Sequence, residues 1–362
     1  MVKETIIFVS TREARASAGR VRVQYFKQAL KSNGYNIIDF EINLSGLKKY
    51  ISYFLRRPPK RVIHASKNAN LIITTSPTLL NAIISYRIAR KNNLPLIVDI
   101  RDVWEEYAKA AHLLTYRLGI VKRIVMEYYE ALYYASKIFV TTEPMKQYYE
   151  KTLDAKDKVV VISNGTDIDI IKCNEKIKRD DDLVYLADLD WPYHNLEFLL
   201  KTLKNNGLHL TVIGDGKYLP VMKEYAQTLG VNKKVSFVGW IPYENLTDYL
   251  CKAKIGVVGR PFISNIGYLY AIPVKTYDYL AAGLPIAGYG PGKSALEEFV
   301  KRNAIGTYIS QPDPKVMLYE LTELVKEHDR YVKKTRELAI NFDRKKLAQK
   351  VIDTVKSVLV KF

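Results

Sequence analysis

Between Pro273 and Ile286 the chain reads PVKTYDYLAAGLPI, a stretch whose charged residues are spaced to bind an anion and a diol together. Pro273 suits a helix start, because its missing N–H would be unpaired in the first turn anyway. Gly283 and Pro285 suit its end, ahead of an apolar strand. A helix N-terminus presents unbonded N–H groups and partial positive charge, a favourable setting for phosphate. Lys275 would add a full charge to that turn. Asp278, three residues on and on the same face, can accept paired hydrogen bonds from a sugar diol. On chemistry alone, a plain helix with a carboxylate in its first turn fits equally well.

Positioning such a turn requires a sheet behind it, and the flanking pattern supplies one. Short apolar runs alternate with amphipathic stretches of helical length: Thr5–Ser10, Tyr35–Glu41, Leu71–Thr75, Leu96–Asp99, Lys137–Val140 and Val159–Ile162 read as strands. Val21–Ser32, Thr78–Lys91 and Tyr116–Ala135 read as helices between them. Such alternation implies βαβ units and a parallel sheet. A polar, weakly periodic break follows at about Asn164–Asp182, and the alternation restarts with Leu183–Ala187, Leu208–Ile213, Val235–Val238, Lys254–Val258 and Pro285–Gly288. The expected architecture is α/β, with two doubly wound Rossmann-like domains, 1–165 and 166–342, facing a central cleft. The apolar-striped tail 343–362 is expected as a last helix crossing back to the first domain. In open α/β sheets, ligands bind at the carboxyl ends of the strands.

Composition bounds the function. The chain has 362 residues, 48% of them apolar and 26% charged, which is ordinary globular composition. Its two cysteines, Cys173 and Cys251, form no metal or redox spacing, and a reducing cytosol suits that count. The apolar stretch of the N-terminus is too short for a signal-peptide core and reads as a first strand. No run approaches the roughly 18–20 apolar residues that span a bilayer. Residues 1–165 hold 27 Lys+Arg against 14 Asp+Glu, while the rest holds 29 against 24, so most of the net charge of +18 sits in the first half. That half is expected to prefer an anionic partner, unless the charge serves solubility alone.

The Pro273–Ile286 stretch resembles the donor-binding signature of retaining family-four GT-B glycosyltransferases (glycosyl transferases group 1), in the branch patterned P-x-K-x-x-E-Y-x-A-x-G-x-P. Other segments fit in order. Val238–Leu246 (VGWIPYENL), with Gly239 and Trp240, resembles the strand and loop that pass the donor base. Val212–Lys217 (VIGDGK), with Gly214, resembles the Gly-rich strand end. Ser163–Asp167 (SNGTD) resembles the turn closing the first domain. Asp99–Trp104 (DIRDVW) resembles an acidic, aromatic segment of the first domain. Ala18-Gly19-Arg20 resembles the glycine loop that meets the donor phosphates. The resemblance implies a nucleotide-diphosphate sugar as donor, with the ribose hydroxyls on Asp278 and the diphosphate on Lys275 and its backbone. It implies no metal or other cofactor, and transfer with retention of configuration to a glycan or lipid-phosphate-linked acceptor. Arg101 and Asp102 would orient donor or acceptor from the opposite wall.

Some positions depart from the pattern. The later of two glutamates common in the family is Asp278 here, and the earlier position is Tyr270. The Arg and Lys that commonly follow the first strand of the second domain read as Asp188 and His194. An aspartate there would repel a diphosphate, and His194 is a weaker, pH-dependent substitute. Arg260, after strand Lys254–Val258, is proposed to compensate, since its planar fork suits phosphate. Asp99 is expected to satisfy backbone donors at a strand end rather than to act with Asp102 as a glycosidase pair.

Residues 47–61 combine an apolar stripe, including Phe54, with Lys48, Lys49, Arg56 and Arg57. This pattern suits a helix lying in an anionic membrane interface, and equally a core-packed helix with a basic end. A cytoplasmic protein, peripheral on the membrane, is the expectation that follows. Nucleic acid is not expected, because the basic residues are spread and no recognition motif is visible. The scattered histidines give no metal spacing. The competing functions are a nucleotide-sugar epimerase or phosphorylase of the same architecture, and a membrane-associated binding protein whose donor site has decayed.

Overall fold

A computed structural model describes residues 4–11, 18–42, 60–76, 78–111, 119–174, 177–190, 194–204 and 206–361. The proposed membrane residues Lys48, Lys49, Phe54, Arg56 and Arg57 lie outside them. The chain forms two compact units, Met1–Asn164 with Arg344–Phe362, and Gly165–Asp343.

In the N-terminal unit the order is β1 (Thr5–Ser10), α1 (Ala18–Ser32), β2 (Asn36–Glu41), α2 (Lys60–Ala65), β3 (Leu71–Ser76), α3 (Leu79–Lys91), β4 (Leu96–Ile100), α4 (Trp104–Ala111), α5 (Ile120–Tyr134), β5 (Lys137–Val140), α6 (Glu143–Leu153) and β6 (Val159–Val161). The strands pair in parallel in the order β2-β1-β3-β4-β5-β6. Central strands β3 and β4 are buried throughout and each opens on an apolar run, LII and LIV, whereas edge strand β2 alternates. The C-terminal unit repeats the plan with β7 (Asp181–Leu186), α7 (Leu196–Thr202), β8 (Leu210–Ile213), α8 (Leu219–Thr228), β9 (Val235–Gly239), α9 (Leu246–Leu250), β10 (Ala253–Gly259), α10 (Ile266–Tyr270), α11 (Lys275–Ala281), β11 (Ile286–Tyr289), α12 (Ala295–Asn303), β12 (Gly306–Ile309), α13 (Pro314–Lys326) and α14 (Asp329–Ala339). Its parallel order is β12-β11-β10-β7-β8-β9. The last helix, α15 (Arg344–Lys361), returns to the N-terminal unit and buries Leu347, Val351, Val355 and Val358 in the core that holds Phe8, Phe26 and Phe139.

The α/β class and both doubly wound sheets match the sequence reading. Strand β12 was not anticipated: it is four residues long and only its last two are buried, so its apolar signal is brief. The cysteine expectation is corrected. Cys173 and Cys251, separated by 78 residues, are joined by a disulfide within the apolar core around α9 and α11. Sequence separation carried no sign of this, because chain distance does not report spatial distance. Among the described residues, no helix is long and apolar enough to cross a membrane.

Candidate functional site

Helix α11 begins two residues after Pro273, with Val274 as its N-cap. It ends as the sequence suggested. Gly283, at φ +79°, donates to Leu280 O and Leu284 to Tyr279 O, the paired bonds of a glycine-terminated helix. The helix is seated on β7 and β10. Gly256 leaves room for the Tyr279 ring, which a Cβ there would strike, and the Leu186 N–H donates to Tyr279 Oη at 2.7 Å.

Three motif segments meet at Asp278, which is 4% exposed. Its Oδ1 accepts from Thr166 Oγ1 at 2.8 Å and from Tyr243 Oη at 2.8 Å. Thr166 comes from the SNGTD turn and Tyr243 from the VGWIPYENL loop, so neither partner is near Asp278 in sequence.

Lys275 turns inward. Its amine bonds the Leu186 carbonyl, stands 3.2 Å from His194 Nδ1, and lies over the Tyr185 ring at 4.6 Å. Burial, with Arg260 adding to it, holds its pKa well below the usual lysine range despite Asp188 nearby. His194 is likewise driven far below its ordinary value by burial, Lys275 and Arg260. Its Nε2 accepts the Asp188 N–H at 3.2 Å. The Lys275 amine donates to Leu186 O.

Two expectations therefore change. The Lys275 amine is not displayed in the first turn but turned inward, tied to the Leu186 carbonyl at the end of β7. Nor is His194 a cationic, pH-dependent phosphate ligand; it is a neutral bridge between Asp188 and Lys275. The unpaired-looking sequence DLDWPYH gave no sign of this, because the bridging partner is on α11.

Arg260 follows β10 as expected. Its N–H donates to Tyr289 O at 2.9 Å, its carbonyl accepts from Asn195, and its guanidinium lies 5.5 Å from the Tyr268 ring. It is half-buried. Gly214, at φ +140°, donates to Gly239 O at 2.8 Å, and a Cβ there would collide with the Ala187 carbonyl. The close approach of the β7 and β8 ends thus explains the glycine on packing grounds. Trp240, just past β9, is 60% exposed. Tyr270 closes the short α10. The start of α12 is already served by protein groups: Ser294 Oγ accepts from Glu297 N–H, and the Glu297 carboxylate accepts from Lys293 N–H.

In the N-terminal unit, Gly19 is buried and Arg20 half-buried in the first turn of α1. Arg101 Nε donates to Ser76 O at 2.9 Å, tying the end of β4 to that of β3. Asp102 accepts the Trp104 N–H at 2.9 Å through its carbonyl, opening α4. Asp99 does not serve backbone donors; it is paired with Arg22 at 2.7 Å and accepts from Thr75.

Behind Asp102, Glu105 accepts from Tyr149 Oη at 2.8 Å, and burial pushes its carboxyl up to about 7 from 4.5. Between those values the folded chain keeps a proton that the unfolded chain releases. The stabilisation is complete below the unfolded value and is lost as pH rises through about 7. The shift corresponds to about 3 kcal/mol. Urea unfolding of the wild type is expected to lose about 2.5 kcal/mol more stability between pH 5 and pH 8 than Glu105→Gln loses, the rest being lost below pH 5. Equal pH slopes for the two proteins would contradict it.

Residues 167–345 match the family model described as glycosyl transferases group 1. No curated protein matches the chain. Among solved structures it is similar to the sucrose-phosphate synthase of Thermosynechococcus elongatus, with a TM-score of 0.78 at 15% identity over 99% of this chain and 100% of that one. It is similar to HepE of Anabaena in complex with UDP, with a TM-score of 0.71 at 13% identity over 98% and 100%. A lipopolysaccharide outer core galactosyltransferase, WaaB, gives a TM-score of 0.66 at 13% identity over 97% and 99%. At these identities the likeness is one of fold.

Proposed function

Since the chain belongs to the glycosyl transferases group 1 through residues 167–345, and is a glycosyltransferase by that membership, we propose that it moves a sugar from a nucleotide-diphosphate donor to a glycan or lipid-phosphate-linked acceptor. The observation that carries this reading is the convergence of three separate segments on the buried carboxylate of Asp278. A carboxylate accepts only, and two bonds from a ribose diol are what such a group is suited to receive. Support for a nucleotide-sugar donor comes also from the Anabaena neighbour, described in complex with UDP and with UDP-glucose.

In this reading the diphosphate lies against the Val274–Lys275 turn, with Arg260 as its cation and Trp240 beside the base. Charge on the departing diphosphate is met by these groups without a metal, and the acceptor hydroxyl gives its proton to a donor phosphate oxygen. Retention of configuration belongs to the proposal as the family's habit. Arg101 and Asp102, with the basic surplus of residues 1–165, are assigned to the acceptor side, and Gly19 and Arg20 to the donor phosphates. An anionic, lipid-linked acceptor reached from the cytoplasmic membrane face fits that charge.

Calorimetry with UDP, GDP and ADP tests the donor site. One base is expected to bind selectively, and Asp278→Ala is expected to weaken it about 100-fold, the loss of two charge-assisted hydrogen bonds. Undiminished binding by that variant refutes the assignment. The decayed-site reading, suggested by Asp188, His194 and Tyr270, predicts no nucleotide binding at all. Product mass from a nucleotide-sugar panel with lipid-phosphate and glycan acceptors separates transfer from epimerisation.

A further inference from the structure

We propose that Tyr243 and Thr166 are positioning residues for ribose recognition: their hydroxyls set the plane of the Asp278 carboxylate, and through it the preference for ribose over deoxyribose. The inference rests on the reading of Asp278 as the ribose ligand.

The hydrogen-bond directions are fixed by elimination. Asp278 as a carboxylate can only accept, so each hydroxyl spends its single proton on Oδ1. Tyr243 Oη accepts the Asp167 N–H at 3.3 Å and stands 3.4 Å from Thr166 Oγ1, a longer contact than the 2.8 Å each hydroxyl makes to Oδ1. Both hydroxyls are themselves held. Thr166 is fully buried, bridges to Asp343, and donates its N–H to Phe342 O at 2.9 Å. Tyr243 packs its ring on the apolar cluster that contains Tyr277 and Leu280 of α11. Asp167, next in the chain, caps the following turn through Oδ1 to the N–H groups of Asp169 and Ile170.

The consequence is a carboxylate with little freedom about its last torsion. A terminal torsion of this kind is otherwise broad. A diol must meet two acceptor sites at one spacing, so fixing that torsion matters more for a bidentate contact than for a single bond. Removing the anchors therefore costs the two-bond contact more than the single-bond contact left by a 2′-deoxyribose.

The test compares each of UDP, GDP and ADP with its 2′-deoxy counterpart by calorimetry. In the wild type the ribonucleotide that binds is expected to bind more tightly than its deoxy form, and Asp278→Ala is expected to abolish that ratio. Tyr243→Phe and Thr166→Val are each expected to lower the ratio about fivefold, the worth of one hydrogen bond, with little change in deoxynucleotide affinity. Thr166→Ser, which keeps the hydroxyl, is expected to restore it. A role in folding alone would weaken both nucleotides equally and leave the ratio unmoved. If Asp278→Ala collapses the ratio and the Tyr243→Phe/Thr166→Val double variant preserves it, this inference fails while the ribose site stands. If Asp278→Ala leaves the ratio intact, or no nucleotide binds, the ribose reading fails and this inference with it.

Discussion

Arg22→Met is expected to destabilise the N-terminal unit by about 3–5 kcal/mol, the loss that follows when one partner of a buried ion pair is removed. Arg22 is 3% exposed and Asp99 wholly buried. The guanidinium forks onto the carboxylate through Nε at 3.2 Å to each oxygen and Nη2 at 2.7 Å, while Nη1 donates to Ser163 O at 2.8 Å. It also lies over the Phe26 ring at 4.6 Å. One side chain from α1 thus joins the end of β4 to the turn that leaves the unit. Methionine keeps most of the volume but leaves Asp99 with Thr75 as its remaining described hydrogen-bond donor, at 3.0 Å. The uncompensated charge, not the lost contact, dominates the cost. Replacing both, as Arg22→Met/Asp99→Leu, is expected to recover most of the loss, since an apolar pair leaves no buried charge. Hydrogen exchange of the β4 amides reads the opening free energy of this unit. A single variant that loses less than about 1 kcal/mol, or a double variant no better than the single, would overturn the argument.

How much of this was legible depends on the range of the interaction concerned. Strands β1, β3 and β10 were readable because strands covered on both faces carry short apolar runs, here residues 6–9, 71–73 and 255–258. The termination of α11 was readable because a left-handed residue at a helix end selects glycine, and Gly283 stands there. The pair Arg22–Asp99 is 77 residues apart, and Asp99 looked like an ordinary strand-end acid. A buried arginine in the second turn of α1, on the face carrying Phe26, was the available signal. Lys275 was misjudged for a different reason. Its place in the first turn was right, but its direction was decided by the Leu186 carbonyl and the His194 ring, both distant in sequence. Thr166 and Tyr243 sat inside quoted motifs without a role, because a hydroxyl's partner cannot be read from its own segment. The glycines are the opposite case: Gly214 belongs to a segment that resembles the family's Gly-rich strand end, and its approach to Ala187 gives it a reason to be glycine without any ligand.

Reduction of the Cys173–Cys251 bond is expected to lower the stability of the C-terminal unit by about 4 kcal/mol, the loop-closure entropy returned to an unfolded chain freed of a 78-residue link. Cys173→Ala/Cys251→Ala is expected to give a similar loss with or without reductant, because alanine also leaves the chain unlinked. Hydrogen exchange of the β10 amides, run with and without dithiothreitol, measures both, and an opening free energy unmoved by reductant would sink the expectation. The proposed nucleotide site is expected to be far less affected. The segment between Thr166 and Cys173 is held independently of the bond: Thr166 by the Phe342 carbonyl, Asp169 and Ile170 by Asp167, and the Ile170 carbonyl by Thr247 Oγ1 at 2.8 Å. The unlinked thiols would remain in the same apolar cluster with Ile171, Leu246 and Leu250. A link that acts chiefly on the unfolded state changes how often the unit opens, not the shape of what it opens from. Nucleotide affinity within about twofold of the oxidised protein, alongside the full loss of stability, is the combination that this separation requires.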